Sequence, residues 1–126
     1  MNKYKINNLL LTTVKYNFAI SDPKTITVSI GDTVEIAETQ EKQATILVSR
    51  EVNLGPQTNS YIKVGYEVLV DSTETIDSKE LLTTFKSKGT VLSFVFSKIS
   101  VIISSITNMC PIGAIITPPN YKSKEK

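Results

Sequence analysis

With 126 residues, 40% hydrophobic and 21% charged, and only five glycines and five prolines, the chain has the make-up of one globular domain; collagen-like and disordered classes are excluded. Fourteen basic against twelve acidic residues leave a formal charge of +2, too small to draw a polyanion by net charge alone. The sequence has no histidine, which excludes Ser-His-Asp and Cys-His nucleophile activation, and its one cysteine, Cys110, excludes an internal disulfide and a four-ligand structural zinc site.

Apolar residues first recur at even positions, Leu10, Val14, Tyr16, Phe18 and Ile20, which predicts a half-buried strand. After a turn at Ser21, Asp22 and Pro23 the period continues through Ile26, Val28 and Ile30, then Val34 and Ile36 beyond Gly31-Asp32. A third run, Ala44, Ile46, Val48, Val52 and Leu54, is interrupted at Arg50; a fourth, Ile62, Val64, Tyr66, Val68 and Val70, follows a turn from Gly55 to Asn59. Four runs with short polar connections predict an antiparallel sheet with one face committed to a core. The glycines, Gly31, Gly55, Gly65, Gly89 and Gly113, read as breaks between elements and form no nucleotide-binding loop.

The period then changes to 3.6. Asp77 is placed as a helix N-cap, Glu80 completes a capping box, and Ile76 with Leu81 forms a hydrophobic staple, predicting a short helix over about 78–88 that Gly89 ends in a left-handed conformation. A longer helix follows over about 90–109, with Leu92, Val95, Ile99, Ile102, Ile103 and Ile106 on one stripe and Ser93, Ser97, Ser100 and Ser104 on the other; it stops before Pro111. The expected fold class is α+β, a four-stranded antiparallel sheet with the short helix and the long C-terminal helix packed on one face. Residues 1–121 read as a single α+β domain and 122–126 as a charged, frayed tail.

No catalytic constellation and no cofactor motif is visible, so the expected class is a non-enzyme. Asp71, Glu74, Asp77 and Glu80 cluster in sequence without the spacing of a calcium-binding EF-hand, and no metal is expected. Lysines beside tyrosines (Tyr4-Lys5, Lys15-Tyr16, Tyr121-Lys122) are too dispersed to build a nucleic-acid interface. The uncharged stretch from Ile99 to Asn120 is broken by proline and glycine and lined by serine, against membrane insertion; with no signal-like N-terminus, the expectation is a cytoplasmic protein. Arg50 reads as a structural ion pair with Glu51, Glu67 or another carboxylate rather than an external anion site, and Cys110 as a small buried hydrophobe. The serine stripe is a solvent face or a surface for close helix packing; Phe94 and Val101 widen the apolar surface beyond one small sheet and favour the latter, with Ser97, Val101, Ile102 and Ser104 as a homo-oligomer interface.

The segment from Leu92 to Ile106, continued by Pro111 to Asn120, resembles the SecB-like chaperone family, whose long helix opens on a leucine, an aromatic-proline-aromatic stretch and an arginine, and is followed by an apolar stretch ending in a Leu-x-Pro-x-Asn type loop. Leu92, Phe94 and Phe96 match the apolar and aromatic positions and Pro119-Asn120 the loop; Val95 replaces the proline and Lys98 the arginine. The order of strands and capped helix extends the similarity over most of the chain, while the final helix and acidic tail of export members have no counterpart. The resemblance implies an ATP-independent holdase for apolar segments of unfolded or partly folded polypeptides, in protein transport or a toxin-antitoxin system. The alternative is a small adaptor, immunity or toxin-antitoxin-associated protein that binds one specific protein partner. It places client contacts at Phe94, Phe96, Ile116 and Tyr121.

Overall fold

The computed structural model describes residues 3–18, 27–55, 60–87, 89–109 and 113–119. Its elements are β1 (Tyr4–Asn17), β2 (Thr27–Gln40), β3 (Gln43–Gly55), β4 (Tyr61–Ser72), α1 (Ser78–Ser87) and α2 (Gly89–Thr107), an α+β fold with one four-stranded antiparallel sheet and two helices. The predicted turn at 21–23, most of that at 55–59, Cys110, Tyr121 and the tail lie outside the described residues.

β3 alternates strictly, its even positions from Ala44 to Leu54 buried and its odd ones half-buried or exposed, and Ile62, Val64, Val68 and Val70 do the same on β4. That period of two turns one sheet face toward the helices, where Leu81, Phe85, Leu92, Val95, Phe96, Ile99 and Ile103 close the core. Burying each such side chain contributes about 1.5–3 kcal/mol.

The strand order is β1-β4-β3-β2, so the consecutive strands β1 and β2 lie at opposite edges rather than side by side. β1 begins at Tyr4, earlier than its even-position pattern predicts, and pairs with β4 along its length, with register shifts between Ile6 and Asn8 and between Leu11 and Thr13. Each shift moves the following side chains to the other face. Leu9 and Leu11, not Leu10, therefore lie opposite Val68 and Tyr66 on the helix side.

Two glycines read as breaks are interior to strands. Gly31 lies within β2 and Gly65 within β4, where an added Cβ would stand 3.3 Å from Ser49 Cβ and 3.4 Å from Thr13 Cβ. Gly65 serves close strand approach.

Asp77 caps α1 as expected, accepting from Lys79 N at 3.1 Å, and Ile76 and Leu81 join the core. The reciprocal half of the capping box gives way to another contact, because Glu80 turns to Lys3 and Tyr4 of the N-terminal strand region. Gly89 is the first residue of α2 instead of a left-handed end to α1; among the described glycines the positive φ belongs to Gly113, at 84°. Thr107 ends α2 by donating to Ile103 O and accepting from Ile115 N at 2.7 Å, which ties the returning C-terminal segment to the helix.

Candidate functional site

Three features of β1 combine. It is an edge strand, so one side of its backbone has no neighbour in the sheet among the described residues. Its residues from Ile6 to Val14 carry no charge. Past Leu9 its helix-side residues Leu11, Val14 and Tyr16 lie opposite Tyr66, Val64 and Ile62, yet are 50%, 42% and 55% exposed. Directly opposed residues of an antiparallel pair share a face, so this strip continues the core face where α2 does not reach it. Tyr16 stacks on Phe18 with ring centroids 5.4 Å apart, stiffening the strip's end.

Where α2 approaches this strip a groove of about 440 Å³ opens, lined by Ile6, Asn7, Asn8, Leu9 and Tyr66 on the sheet and by Phe94 and Lys98 on the helix. Phe94 is 53% exposed, and the Lys98 ammonium lies 5.2 Å from its ring centroid, a cation–π contact along one helix turn. A strand edge with no neighbour among the described residues, beside a groove of mixed apolar and polar lining, can add a strand by backbone hydrogen bonds while its pockets take alternate side chains.

The opposite flank of α2 is closed. Arg50, buried on the core face of β3, donates through Nε to Asp32 Oδ1 at 2.7 Å and through Nη2 to Oδ2 at 2.8 Å, a two-pronged pair with the residue directly across on β2. Its Nη1 donates to Thr117 Oγ1 at 3.0 Å, to Ser100 Oγ and to the Pro118 carbonyl, and its guanidinium stacks 4.7 Å from the Phe96 ring centroid. Arg50 thus clamps the segment 113–119 against α2. The expected structural ion pair is formed, with Asp32; Glu51 and Glu67 occupy odd positions, on the other face.

The expected client contacts separate. Phe94 lines the groove, Ile116 is 80% exposed on the clamped segment over β2 and β3, Phe96 is fully buried beneath Arg50, and Tyr121 lies outside the described residues. Phe96 is thereby a core residue rather than a surface one: on α2 it falls on the same side as Leu92, Val95 and Ile99. Of the expected association residues, Ser97 and Val101 are exposed and Ile102 and Ser104 half-buried, Ile102 packing against the core. Ser100 belongs to the clamp and not to a solvent stripe.

A second, polar cleft on the sheet's outer face satisfies itself: Asn7 Nδ2 donates to Asp71 at 2.7 Å, Gln43 to the same carboxylate, and Gln40 to Glu38. The carboxylates that cluster in sequence are likewise engaged, Asp77 in a helix cap and Glu74 and Glu80 by Lys3. No group of three or more metal-ligating side chains comes together among the described residues. No helix among them is long and apolar enough to cross a membrane.

No protein-family model and no curated protein matches the chain. Among solved structures it is similar to a SecB-like chaperone of Mycobacterium tuberculosis in complex with a ChAD peptide from the HigA1 antitoxin, with a TM-score of 0.66 and 14% identity over 91% of this chain and 86% of that one. The fold is SecB-like. It is also similar to a protein of unknown function from Streptococcus agalactiae, with a TM-score of 0.52 and 7% identity over 90% of this chain and 95% of that one.

Proposed function

We propose that this SecB-like chain is a non-enzymatic, ATP-independent holdase that takes up extended apolar polypeptide segments along β1 and the β1/α2 groove. The observation that carries this reading is the exposed strip of Leu11, Val14 and Tyr16 running into the groove along the edge strand of the described sheet. Phe94 is its anchor on the helix, and Ile116 and Tyr121 are further client contacts on the C-terminal segment. A second reading, an adaptor for one protein partner in a toxin-antitoxin setting, draws support from the mycobacterial structure, whose peptide comes from one antitoxin.

Aggregation of several unrelated, reduced and unfolded proteins, followed with and without the chain, tests both. Delay across the set supports the holdase; delay confined to one partner supports the adaptor, and no delay with no bound peptide overturns both. Phe94→Ala should weaken segment binding by about tenfold or more while melting shifts by only a few degrees, because its ring is largely exposed.

A further inference from the structure

We infer that Arg50 is a positioning residue for polypeptide binding, which acts through Thr117 to set the register of the segment 113–119 and so presents Ile116 to the bound chain; this rests on Ile116 being a client contact. The segment forms neither helix nor strand, yet its exposure alternates as in an extended strand. Gly113 and Ile115 are half-buried and Thr117 is buried, while Ala114 and Ile116 between them are exposed, Ile116 to 80%. Ile115 packs against the core.

Apolar burial does not account for this choice of faces. A slip of one residue would turn Ala114 and Ile116 inward and Ile115 and Thr117 outward. That slip exchanges one isoleucine for another and brings an alanine in place of a threonine, whose hydroxyl must find a partner when buried. The hydrophobic effect therefore gives the observed register no advantage.

Polar anchors decide it instead. Thr107 Oγ1 accepts from Ile115 N at 2.7 Å, and Thr117 Oγ1 accepts from Arg50 Nη1 at 3.0 Å and pairs with Ser100 Oγ at 2.8 Å. Arg50 has no exposed surface, and its two bonds to Asp32 fix the plane of the guanidinium, so Nη1 is a buried donor in a set place. A threonine at that place supplies an acceptor and an isoleucine does not. Ile116 lies between two anchored neighbours and is thereby held outward. A polypeptide that meets it does not first have to order the segment, which lowers the cost of binding.

Fluorescence anisotropy of labelled, reduced and carboxymethylated α-lactalbumin, a soluble unfolded polypeptide, titrated with the full chain tests this role. Ile116→Ala should weaken binding by about tenfold. Thr117→Ala removes one acceptor while Arg50 keeps Asp32, Ser100 and the Pro118 carbonyl, and it should weaken binding by a similar factor. Thr117→Ser differs from Thr117→Ala by the hydroxyl alone and should restore most of the affinity. In an Ile116→Ala background Thr117→Ala should have no further effect, because positioning acts only through Ile116. Thermal melting verifies that each variant folds. Parent affinity in Thr117→Ala, equal losses with and without Ile116, or no recovery in Thr117→Ser makes the clamp purely structural and overturns the positioning role. Parent affinity in Ile116→Ala alongside weakened binding by Phe94→Ala also overturns it and leaves the groove standing, whereas a parent chain that does not bind the labelled polypeptide overturns the holdase reading and the positioning role together.

Discussion

At the scale of single residues, a guanidinium inside a sheet is stable only when its N–H groups all find acceptors, and Arg50 meets that demand with Asp32, Thr117, Ser100 and the Pro118 carbonyl. Its place in the sequence, an arginine breaking an otherwise apolar alternation, was enough to mark a buried ion pair. The partner was not legible, because Asp32 sits eighteen positions away and meets Arg50 only through the β2/β3 register. The buried pair has an asymmetric mutational signature. Arg50→Met strands a carboxylate whose side chain has no exposed surface and should cost about 3–5 kcal/mol in chemical denaturation. Asp32→Val combined with Arg50→Met removes both charges and should recover most of that loss. A double variant as unstable as the single one would show that the clamp on Thr117 and Pro118, and not charge burial, dominates.

At the scale of elements, β3, β4 and α2 were legible because each keeps one period from end to end. β1 was not: its two register shifts exchange the faces within a run of leucines and threonines, and even-position counting then assigns Leu10 inward and leaves out Leu9 and Leu11. The exposure of the candidate binding strip was hidden for the same reason. The start of β1 is tied to α1 by the Lys3–Glu80–Tyr4 cluster, in which Lys3 Nζ donates to both Glu80 oxygens at 3.0 and 3.1 Å and Tyr4 OH donates at 3.0 Å. The hydrogen bond from Lys3, then that from Tyr4, holds the Glu80 carboxyl below its ordinary 4.5; the hydrogen bond to Glu80 holds Lys3 above 10.5; burial, reinforced by Glu80, lifts Tyr4 above 10.0. A lowered carboxyl value means that the Glu80 contribution is present above pH 4.5 and is lost as pH falls through the folded value. Raised Lys3 and Tyr4 values mean that theirs is present below pH 10.5 and 10.0 respectively and is lost as pH rises through the folded values. Thermal melting against pH should accordingly fall less steeply for Glu80→Gln than for the parent chain at both ends. Identical acid limbs in the two proteins would remove Glu80 from the account.

At the scale of the molecule, the order β1-β4-β3-β2 leaves two long edge strands, and they are defended differently. β2 carries Asp32 pointing inward with Glu35 and Glu38 along its length, whereas β1 is interrupted by its register shifts and flanked by Lys5 and Lys15, with no charge from Ile6 to Val14. This order was beyond sequence reading, since pairing of sequence neighbours is the default and β1 joins β4 instead. The outward face of α2 is a further surface with exposed apolar side chains. Phe94 and Val101, 53% and 63% exposed, lie one heptad apart, with exposed Ser97 and Lys98 between them. The Ser97 hydroxyl donates to Ser93 O at 2.7 Å and that of Ser104 to Val101 O at 3.2 Å. Their hydrogen-bonding needs are partly met within the helix, which lowers the cost of covering this face with a second copy. The chain should therefore sediment as a dimer or larger at micromolar concentration. Val101→Asp should shift it to monomer with melting altered by only a few degrees, because the side chain is exposed. Ile102→Asp, by contrast, places a charge at a half-buried position packed on the core and should unfold the chain. A parent chain that sediments as a monomer throughout that range would rule out α2 as an association face and leave Phe94 to the groove alone.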